Sequence, residues 1–321
     1  MRKDLKEIIA SLKEKRLIIT SHRKPDIDSI SSVFVFKELL PKATIALTKE
    51  KDESAKKLMD YLGISASDIN EMDLSQYDGL VVLDTSSTVL VPAAKGAKVF
   101  LLIDHHQPQG RDVKADFEII DEKAPATSEI IAHLLEKDNA LGQISEKAAF
   151  ALACGIVFDT ARFKSARKET FEILAKLMEK ARVDYEFIRS YAEPQKKRDE
   201  ILAILRGFQR VEIFESGNYI IATSSVGSSA SEVATILAEV AHVAFVAEWK
   251  EQEKETRLSA RACNDFPFPL NEIAAAAAEE LGGKGGGHKK AAGLSVKNKK
   301  PEEVLKACLR AFSNRSSSKL I

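Results

Sequence analysis

Acids and histidines end several apolar runs in this sequence, and side chains of these types suit metal binding. The clearest stretch is VFLLIDHHQPQ, Val99–Gln109, in which Asp104, His105 and His106 follow a run of apolar residues. A buried charge without a partner is strongly unfavourable, or the group loses its charge. A bound cation would compensate these side chains, so the stretch predicts a metal site.

Similar side chains follow three further apolar segments. They are His22, Asp26 and Asp28 in SHRKPDIDS, Asp84 in VVLDTS, and Asp159 in ACGIVFDTARF. We interpret each segment as a strand, and the carboxyl ends of parallel strands share one edge of a sheet, where distant residues can meet. A lone Asp at such a place is more often a helix N-cap, and a lone His is more often a core residue. Four such sites at four predicted strand ends favour a metal.

The ligand types indicate which metal the site would take. The set contains carboxylates and imidazoles but no thiolate, which suits Mn²⁺ or Mg²⁺, and the imidazoles favour Mn²⁺. Five carboxylates and three imidazoles are too many for one ion, but they suit two ions that share a bridging carboxylate. Two adjacent ions are the arrangement that clamps an in-line displacement at phosphorus.

The elements that position these residues follow an alternating pattern. The apolar runs RLIITSH, TIALT, GLVVLDTS and KVFLLIDHH alternate with helical patterns, and the runs are continuous. Continuous runs are typical of parallel strands that are covered on both faces. The sequence therefore predicts an α/β fold with a parallel sheet in the metal-binding domain.

A second, smaller α/β domain is predicted from the strands NYIIATSSV, VAFVAEWK and TRLSARAC. We place the metal-binding domain at residues 1–191, a linker helix at 192–208 and the second domain at 209–321. We expect the active-site cleft to lie between the two domains. The tail SNRSSSKL has a composition that is typical of disorder.

Bulk composition narrows the classes of function. The 321 residues contain 48 Lys+Arg and 48 Asp+Glu, whereas a protein that tracks long nucleic acid usually carries a basic excess. This balance favours a small anionic substrate. The three cysteines are far apart and indicate neither a disulfide framework nor a zinc cluster. We expect no membrane association and a cytoplasmic location, because no signal segment or membrane span is evident.

A second motif, GGKGGGHKKAAG, lies near the end of the chain. Its residues Gly285, Gly286, Gly287 and His288 would let backbone N–H groups approach an anion closely. The alternative interpretation is a helix C-cap followed by a flexible loop. Upstream, Arg261 lies on a predicted strand, where its guanidinium would suit bidentate phosphate contacts.

In these motifs the chain resembles the DHH phosphoesterases that carry a DHH-associated C-terminal domain. HRKPDID, LD, DHH and DT occur in family order, and GGGHKKAAG is similar to the signature of the second domain. The chain looks closest to the branch of oligoribonucleases (nanoRNases), phosphoadenosine-phosphate phosphatases and dinucleotide phosphodiesterases. DTARF departs from the family pattern, since Ala161 stands where glycine is common.

The resemblance implies a role for each site residue. His22, Asp26 and Asp84 would hold one Mn²⁺, and Asp28, Asp84, His105 and Asp159 would hold the other, with Asp84 as the bridge. His106 would face the scissile phosphate, and Asp104 would orient a ligand histidine. The residues that would grip the far end of the substrate are Arg261, Gly285, Gly286, Gly287 and His288.

The implied activity is Mn²⁺-dependent hydrolysis of a short RNA or DNA oligonucleotide or a nucleotide. Three alternatives stay open: a RecJ-like exonuclease on longer single strands, a family II pyrophosphatase, and a non-catalytic nucleotide-binding or replication scaffold. The sequence does not fix the substrate, its length or the oligomeric state, for which a homodimer is one option.

Overall fold

Short apolar runs form a parallel sheet in the first of two units. The computed structural model describes residues 4–51, 53–107, 110–193 and 198–318. The chain divides into a first unit, Met1–Gln195, and a second unit, Lys196–Ile321. The strands of the first unit are β1 (Leu17–Thr20), β2 (Thr44–Leu47), β3 (Ser67–Asp68), β4 (Gly79–Leu83), β5 (Val99–Asp104) and β6 (Phe117–Ile120).

The strand order across this sheet is β3-β2-β1-β4-β5-β6, and every neighbouring pair is parallel. All residues of β1 and β4 are buried, which confirms the α/β fold with a parallel sheet covered on both faces. The chain moves outward from β1 in one direction and from β4 in the other. The carboxyl ends of β1 and β4 therefore form the switch point at which such sheets place their sites.

Seven helices pack against one face of this sheet in the described part of the first unit, and residues between the strands, among them Ile69, Val91 and Val113, cover the other face. The helices are α1 (Leu5–Leu12), α2 (Ile27–Leu39), α3 (Glu53–Leu62), α4 (Thr127–Lys137), α5 (Glu146–Asp159), α6 (Lys168–Ala181) and α7 (Tyr185–Ala192). Helix α5 is buried at every position from Ala148 to Val157. The prediction of a strand before Asp159 is therefore wrong, because a short apolar run buried on all sides has no periodicity that separates helix from strand.

The second unit contains a mixed sheet with helices on both faces. Its strands are β7 (Glu212–Ser216), β8 (Tyr219–Val226), β9 (Val243–Lys250), β10 (Glu255–Ala262), β11 (Lys284–Gly287) and β12 (Ala291–Lys297). Their order is β11-β12-β10-β9-β8-β7. The pair β8/β9 is parallel, and the other pairs are antiparallel.

The helices of the second unit are α8 (Arg198–Gln209), α9 (Ala230–Leu237), α10 (Leu270–Leu281) and α11 (Pro301–Ser318). Within the segment predicted as a linker, Ile204 of α8 packs into the same apolar cluster as Val226 and Val233, and residues 194–197 lie outside the described residues. The expected disordered tail is instead helical as far as Ser318, because the buried Phe312 anchors α11 in the core. Residues 319–321 lie outside the described part of the chain.

No helix in the described ranges is both long and apolar enough to cross a membrane.

Candidate metal centre

The loops at the carboxyl edge of the parallel sheet bring most of the predicted metal ligands together. His22 follows β1, Asp84 follows β4, and His105 follows β5. Asp84 has a backbone φ of 63°, a left-handed conformation that Asp and Asn tolerate better than most residues. Such a conformation costs free energy and is typical of functional sites.

Helix α2 begins at this edge and supplies two further acids. Asp26 is its N-cap and accepts a hydrogen bond of 3.0 Å from the backbone N–H of Ser29. Asp28 lies in the first turn and is fully buried. Its two carboxylate oxygens accept the backbone N–H groups of Thr127 at 2.7 Å and Ser128 at 2.9 Å. The N-terminus of α4 therefore fixes Asp28, and its dipole favours the negative charge.

Helix α5 approaches Asp28 closely because it carries a glycine at the contact. A Cβ atom placed on Gly155 would lie 2.2 Å from Ser128 Oγ and 2.7 Å from Asp28 Oδ1. Only glycine therefore fits here without a shift of α4 or α5. The same helix ends at Asp159, which reaches the site from a helix terminus.

The two carboxylate oxygens of Asp84 face different partners. Oδ1 lies 3.6 Å from His105 Nε2 and accepts a 2.9 Å hydrogen bond from Thr127 Oγ1. Oδ2 lies 3.5 Å from His22 Nε2 and accepts a 2.6 Å hydrogen bond from Ser29 Oγ. Asp84 therefore stands between two groups of ligand atoms.

Among the described residues, three overlapping groups of side chains could hold a metal ion. In each group the ligand atoms lie within 4.8 Å of one another. Oxygen and nitrogen ligands lie about 2.0–2.2 Å from a metal, so ligands on opposite sides of one ion are roughly 4 Å apart. The groups are His22, Asp26 and Asp84; Asp28, Asp84, His105 and Asp159; and Asp84, His105 and His106.

The environment of His105 indicates that the donor set fits a metal. Its Nδ1 lies 3.3 Å from the carbonyl oxygen of Ala124, and a proton on Nδ1 would leave Nε2 free as a ligand atom. Nε2 is buried and makes no hydrogen bond to the described residues, although it lies 3.1 Å from Asp159 Oδ2. A buried nitrogen without a hydrogen-bond partner, set among carboxylates, is the arrangement that a cation would satisfy.

The charges of the site are poorly balanced without a cation. Burial raises the pKa of Asp26 to about 7, and the nearby charges of Asp84 and Asp159 act in the same direction. The same three causes raise the pKa of Asp28 well above its ordinary value. Burial opposes the charging of His105, but the surrounding carboxylates outweigh it and raise its pKa to about 10. Like charges in one buried site repel, and divalent ions would relieve this repulsion.

Asp104 contacts His106, a member of the third group of possible ligands. Its Oδ1 lies 2.8 Å from Nδ1 of His106 and also accepts the backbone N–H of His106. The prediction that Asp104 orients a ligand histidine stays a prediction. Asp104 is fully buried, whereas the His106 side chain is 53% exposed. The hydrogen bond that His106 donates to the Asp104 carboxylate raises the pKa of His106 against the effect of burial. His106 can therefore present a proton on Nε2 to a ligand.

The predicted substrate residues of the second unit lie together at one end of its sheet. Arg261 in β10 pairs with Ala291 of β12, whose carbonyl accepts the backbone N–H of His288 at 2.7 Å. Arg261 Nη2 donates a 2.8 Å hydrogen bond to Ser231 Oγ. The guanidinium is therefore held against α9, while the backbone of Arg261 lies beside the turn that carries His288.

The glycine run forms an edge strand and not a loose loop. Gly285, Gly286 and Gly287 belong to β11, which pairs with β12. A Cβ on Gly285 would lie 2.3 Å from the carbonyl oxygen of Ala274 in α10, while a Cβ on Gly286 would meet nothing within 4 Å. Gly285 therefore serves backbone packing, and Gly286 leaves open space at the strand.

Several residues that complete the site were missed by the sequence reasoning. Ser29 Oγ bonds Asp84 and lies 2.8 Å from His22 Nε2. Thr127 bonds both Asp28 and Asp84, and Gly155 admits the close approach of α5. Glu129, buried next to this region, is held by Arg167 at 2.7 Å. Ser29 directly follows Asp28, so its place in the sequence could have indicated its role. Thr127, Glu129 and Gly155 lie about a hundred residues or more further along the chain, where no local pattern connects them to Asp28.

A strained turn follows Asp159. Ala161, Arg162 and Phe163 have φ values of 47°, 60° and 70°, so three consecutive residues adopt the left-handed conformation. Residues other than glycine rarely do so. This turn ends α5 immediately after its metal-type carboxylate.

Models of two domain families match this chain, one in each unit. A model of the DHH family, N-terminal domain, matches residues 16–156, and a model of the DHHA1 domain matches residues 217–315.

Individual relatives extend this similarity. An uncharacterized protein, MJ0988 of Methanocaldococcus jannaschii, is 30% identical over 96% of this chain and 96% of its own length. A Streptococcus pyogenes protein named "Probable manganese-dependent inorganic pyrophosphatase" is 25% identical over 47% of this chain and 50% of its own. A crystal structure of an exopolyphosphatase-related protein from Bacteroides fragilis shares the fold, with a TM-score of 0.71 at 16% identity over 98% of each chain.

Proposed function

We propose that this chain, which belongs to the DHH family and is a metal-dependent phosphoesterase, hydrolyses phosphodiester or phosphomonoester bonds of short nucleotides with two Mn²⁺ ions. The substrate class comprises nanoRNA, linear or cyclic dinucleotides and phosphoadenosine phosphate. The observation that carries the proposal is the position of Asp84, whose two oxygens face two different groups of ligand atoms.

Two groups of described side chains support the proposal, because each could hold one ion. His22, Asp26 and Asp84 would hold the first, and Asp28, Asp84, His105 and Asp159 would hold the second. The imidazoles favour Mn²⁺ over Mg²⁺, and the similar Streptococcus pyogenes protein is named as manganese-dependent. Because acids and histidines occupy both groups, we regard a scaffold with a decayed site as the weaker alternative.

The residues around the ions would have separate roles in the reaction. When bound, the two cations supply Lewis acidity and an activated water for attack on phosphorus. His106, half-exposed and oriented by the buried Asp104, would donate a hydrogen bond to a phosphate oxygen and stabilise the charge that develops there. Asp104 acts through His106 as a positioning residue.

The second unit supports a nucleotide substrate of limited length. Arg261, His288 and the open backbone at Gly286 would bind a phosphate or base remote from the cleaved bond, and such contacts improve positioning as well as affinity. The balanced net charge of the chain does not favour an exonuclease on long strands. The match of residues 217–315 to the DHHA1 domain does not favour a family II pyrophosphatase.

Replacing Asp84 tests the proposal most directly. Asp84→Asn keeps the size of the side chain, and Asn also tolerates a positive φ. We expect kcat/KM on a dinucleotide to fall by more than about a hundredfold, beyond the 10–100-fold that outer-shell changes cost. We also expect calorimetry to show fewer than two Mn²⁺ bound. The control is Asp60→Asn, an exposed carboxylate on α3.

The substrate panel contains a dinucleotide, phosphoadenosine phosphate, pyrophosphate and a long single strand. Each is assayed with Mn²⁺ and with Mg²⁺. Full activity of Asp84→Asn would refute the bridging carboxylate, and faster hydrolysis of pyrophosphate or the long strand would refute the substrate class.

A further inference from the structure

We propose that a pocket in the first unit, beside the metal centre, binds the nucleoside next to the cleaved phosphate. This inference rests on the proposed function, since it names the part of the substrate that the pocket takes. The pocket has a volume of about 440 Å³, within the range of roughly 300–1,000 Å³ that is usual for small-molecule sites. Residues following β1, β2 and β3 line it, together with the loop beyond β4 that contains Leu90.

The pocket and the metal centre share one edge of the sheet. Ser21, in the pocket wall, is buried and donates a 2.8 Å hydrogen bond to Ser29 Oγ. Ser29 Oγ in turn donates to Asp84 Oδ2 at 2.6 Å. Two hydrogen bonds therefore connect the pocket wall to the proposed bridging carboxylate, and a nucleotide whose phosphate lies at the ions has its sugar and base within reach of this pocket.

The wall of the pocket suits the face of a base. Ile69 and Val91 are buried, and Leu90 is 38% exposed. Arg23 also lines the pocket and forms no ion pair within the described ranges, so its guanidinium is available to stack. Bases bind to proteins by stacking on apolar or guanidinium surfaces.

The loop that carries Arg23 is itself held in place. Its backbone N–H donates to the carbonyl of Leu90 at 2.7 Å, and its carbonyl accepts from Thr48 Oγ1 at 2.8 Å. The two sides of the pocket are therefore connected by backbone hydrogen bonds, and the cavity is largely formed before a ligand enters.

The charges of the pocket distinguish a nucleoside from a chain of phosphates. Its two cations, Arg23 and Lys49, face two acids, Glu50 and Asp68. Lys49 lies 3.4 Å from Asp68. A polyphosphate would require an excess of positive charge, which this pocket lacks. The Asp68 carboxylate and the Asn70 amide, joined by a hydrogen bond of 3.2 Å, instead offer acceptors and donors for the edge of a base or a ribose hydroxyl.

Two diesters with the same leaving group test the pocket. Thymidine 5′-(4-nitrophenyl phosphate) carries a nucleoside, and bis(4-nitrophenyl) phosphate does not. Leu90→Asp places a charge on the apolar wall. We expect it to raise KM for the nucleoside ester about tenfold more than KM for the phenyl ester, the size of loss expected when one base loses its stacking surface. Val240→Asp, at another exposed apolar position, is the matched control and should change the two constants equally.

A second variant and a binding measurement keep the test independent of folding and of catalysis. Asn70→Ala is a milder change in the same pocket. Adenosine monophosphate is titrated by calorimetry into wild-type protein and both variants, with tripolyphosphate as a competitor. We expect both variants to bind adenosine monophosphate more weakly.

The outcomes separate the pocket from the proposed function. Equal losses on both diesters, or unchanged binding of adenosine monophosphate in both variants, would overturn the pocket. Tighter binding of tripolyphosphate that the same variants weaken would also overturn it. If the wild-type protein hydrolysed neither diester, and both variants bound adenosine monophosphate more weakly than the wild type, the proposed function would fail and the pocket would stand.

Discussion

The contact between α5 and Asp28 gives the sharpest test of how the fold builds the metal centre. We predict that Gly155→Ala destabilises the protein and weakens metal binding, although alanine is the better helix former. The added Cβ would lie 2.2 Å from Ser128 Oγ, 2.9 Å from Ser128 Cβ and 2.7 Å from Asp28 Oδ1. Rotation of the Ser128 hydroxyl cannot relieve all three contacts, so α4 or α5 must move.

Two opposing effects set the size of the change. Replacing glycine by alanine inside a helix stabilises by about 1 kcal/mol, whereas overpacking a core costs about 1–3 kcal/mol. Since all three contacts are too short, we expect the cost of overpacking to exceed the helix gain, with a net loss of up to about 2 kcal/mol in the free energy of unfolding. A shift of Asp28 should also weaken Mn²⁺ binding by roughly 10–100-fold.

Urea unfolding with and without Mn²⁺, followed by calorimetric titration of the metal, measures both effects. The matched control is Gly142→Ala in the same unit, where an added Cβ meets nothing within 4 Å. The control should change the free energy of unfolding by less than about 0.5 kcal/mol. A Gly155→Ala protein that is at least as stable as wild type and binds Mn²⁺ equally well would refute the argument.

Two further predictions concern the charge and the strain of the site. In chelator-treated protein, the raised pKa values of Asp26, about 7, and His105, about 10, mean that the folded state binds more protons than the unfolded state between pH 4 and 10. The free energy of unfolding should therefore fall as pH rises from 5 to 8, and Mn²⁺ should remove this fall. Urea titrations that give the chelator-treated protein equal stability at pH 5 and pH 8 would contradict this prediction. Ala161→Gly should stabilise by about 0.5–1 kcal/mol, because the φ of 47° is unfavourable for alanine. Ala238→Gly, at φ −72°, should destabilise, and thermal unfolding that shows the same sign for both would argue against strain at Ala161.

The sequence by itself determined the fold class of the first unit and the residue types of the site. The continuous apolar runs of β1, β4 and β5 specify buried parallel strands, because residues that are covered on both faces of a sheet must nearly all be apolar. The acids and histidines directly after those runs stand out locally, since a strand core has no use for them. Strand polarity then places His22, Asp84 and His105 at one edge without any knowledge of distant contacts.

Tertiary structure decided how these residues are held. The α4 N–H groups that bind Asp28 lie 99 and 100 residues further along the chain, and the need for glycine at position 155 exists only because α5 crosses that contact. Asp159 approaches from a helix and not from a strand, and the glycine run packs as β11 against α10. Local periodicity cannot specify these features. They depend on which surfaces meet after the chain has folded, and the free energy that fixes them comes from packing and hydrogen bonds between distant segments.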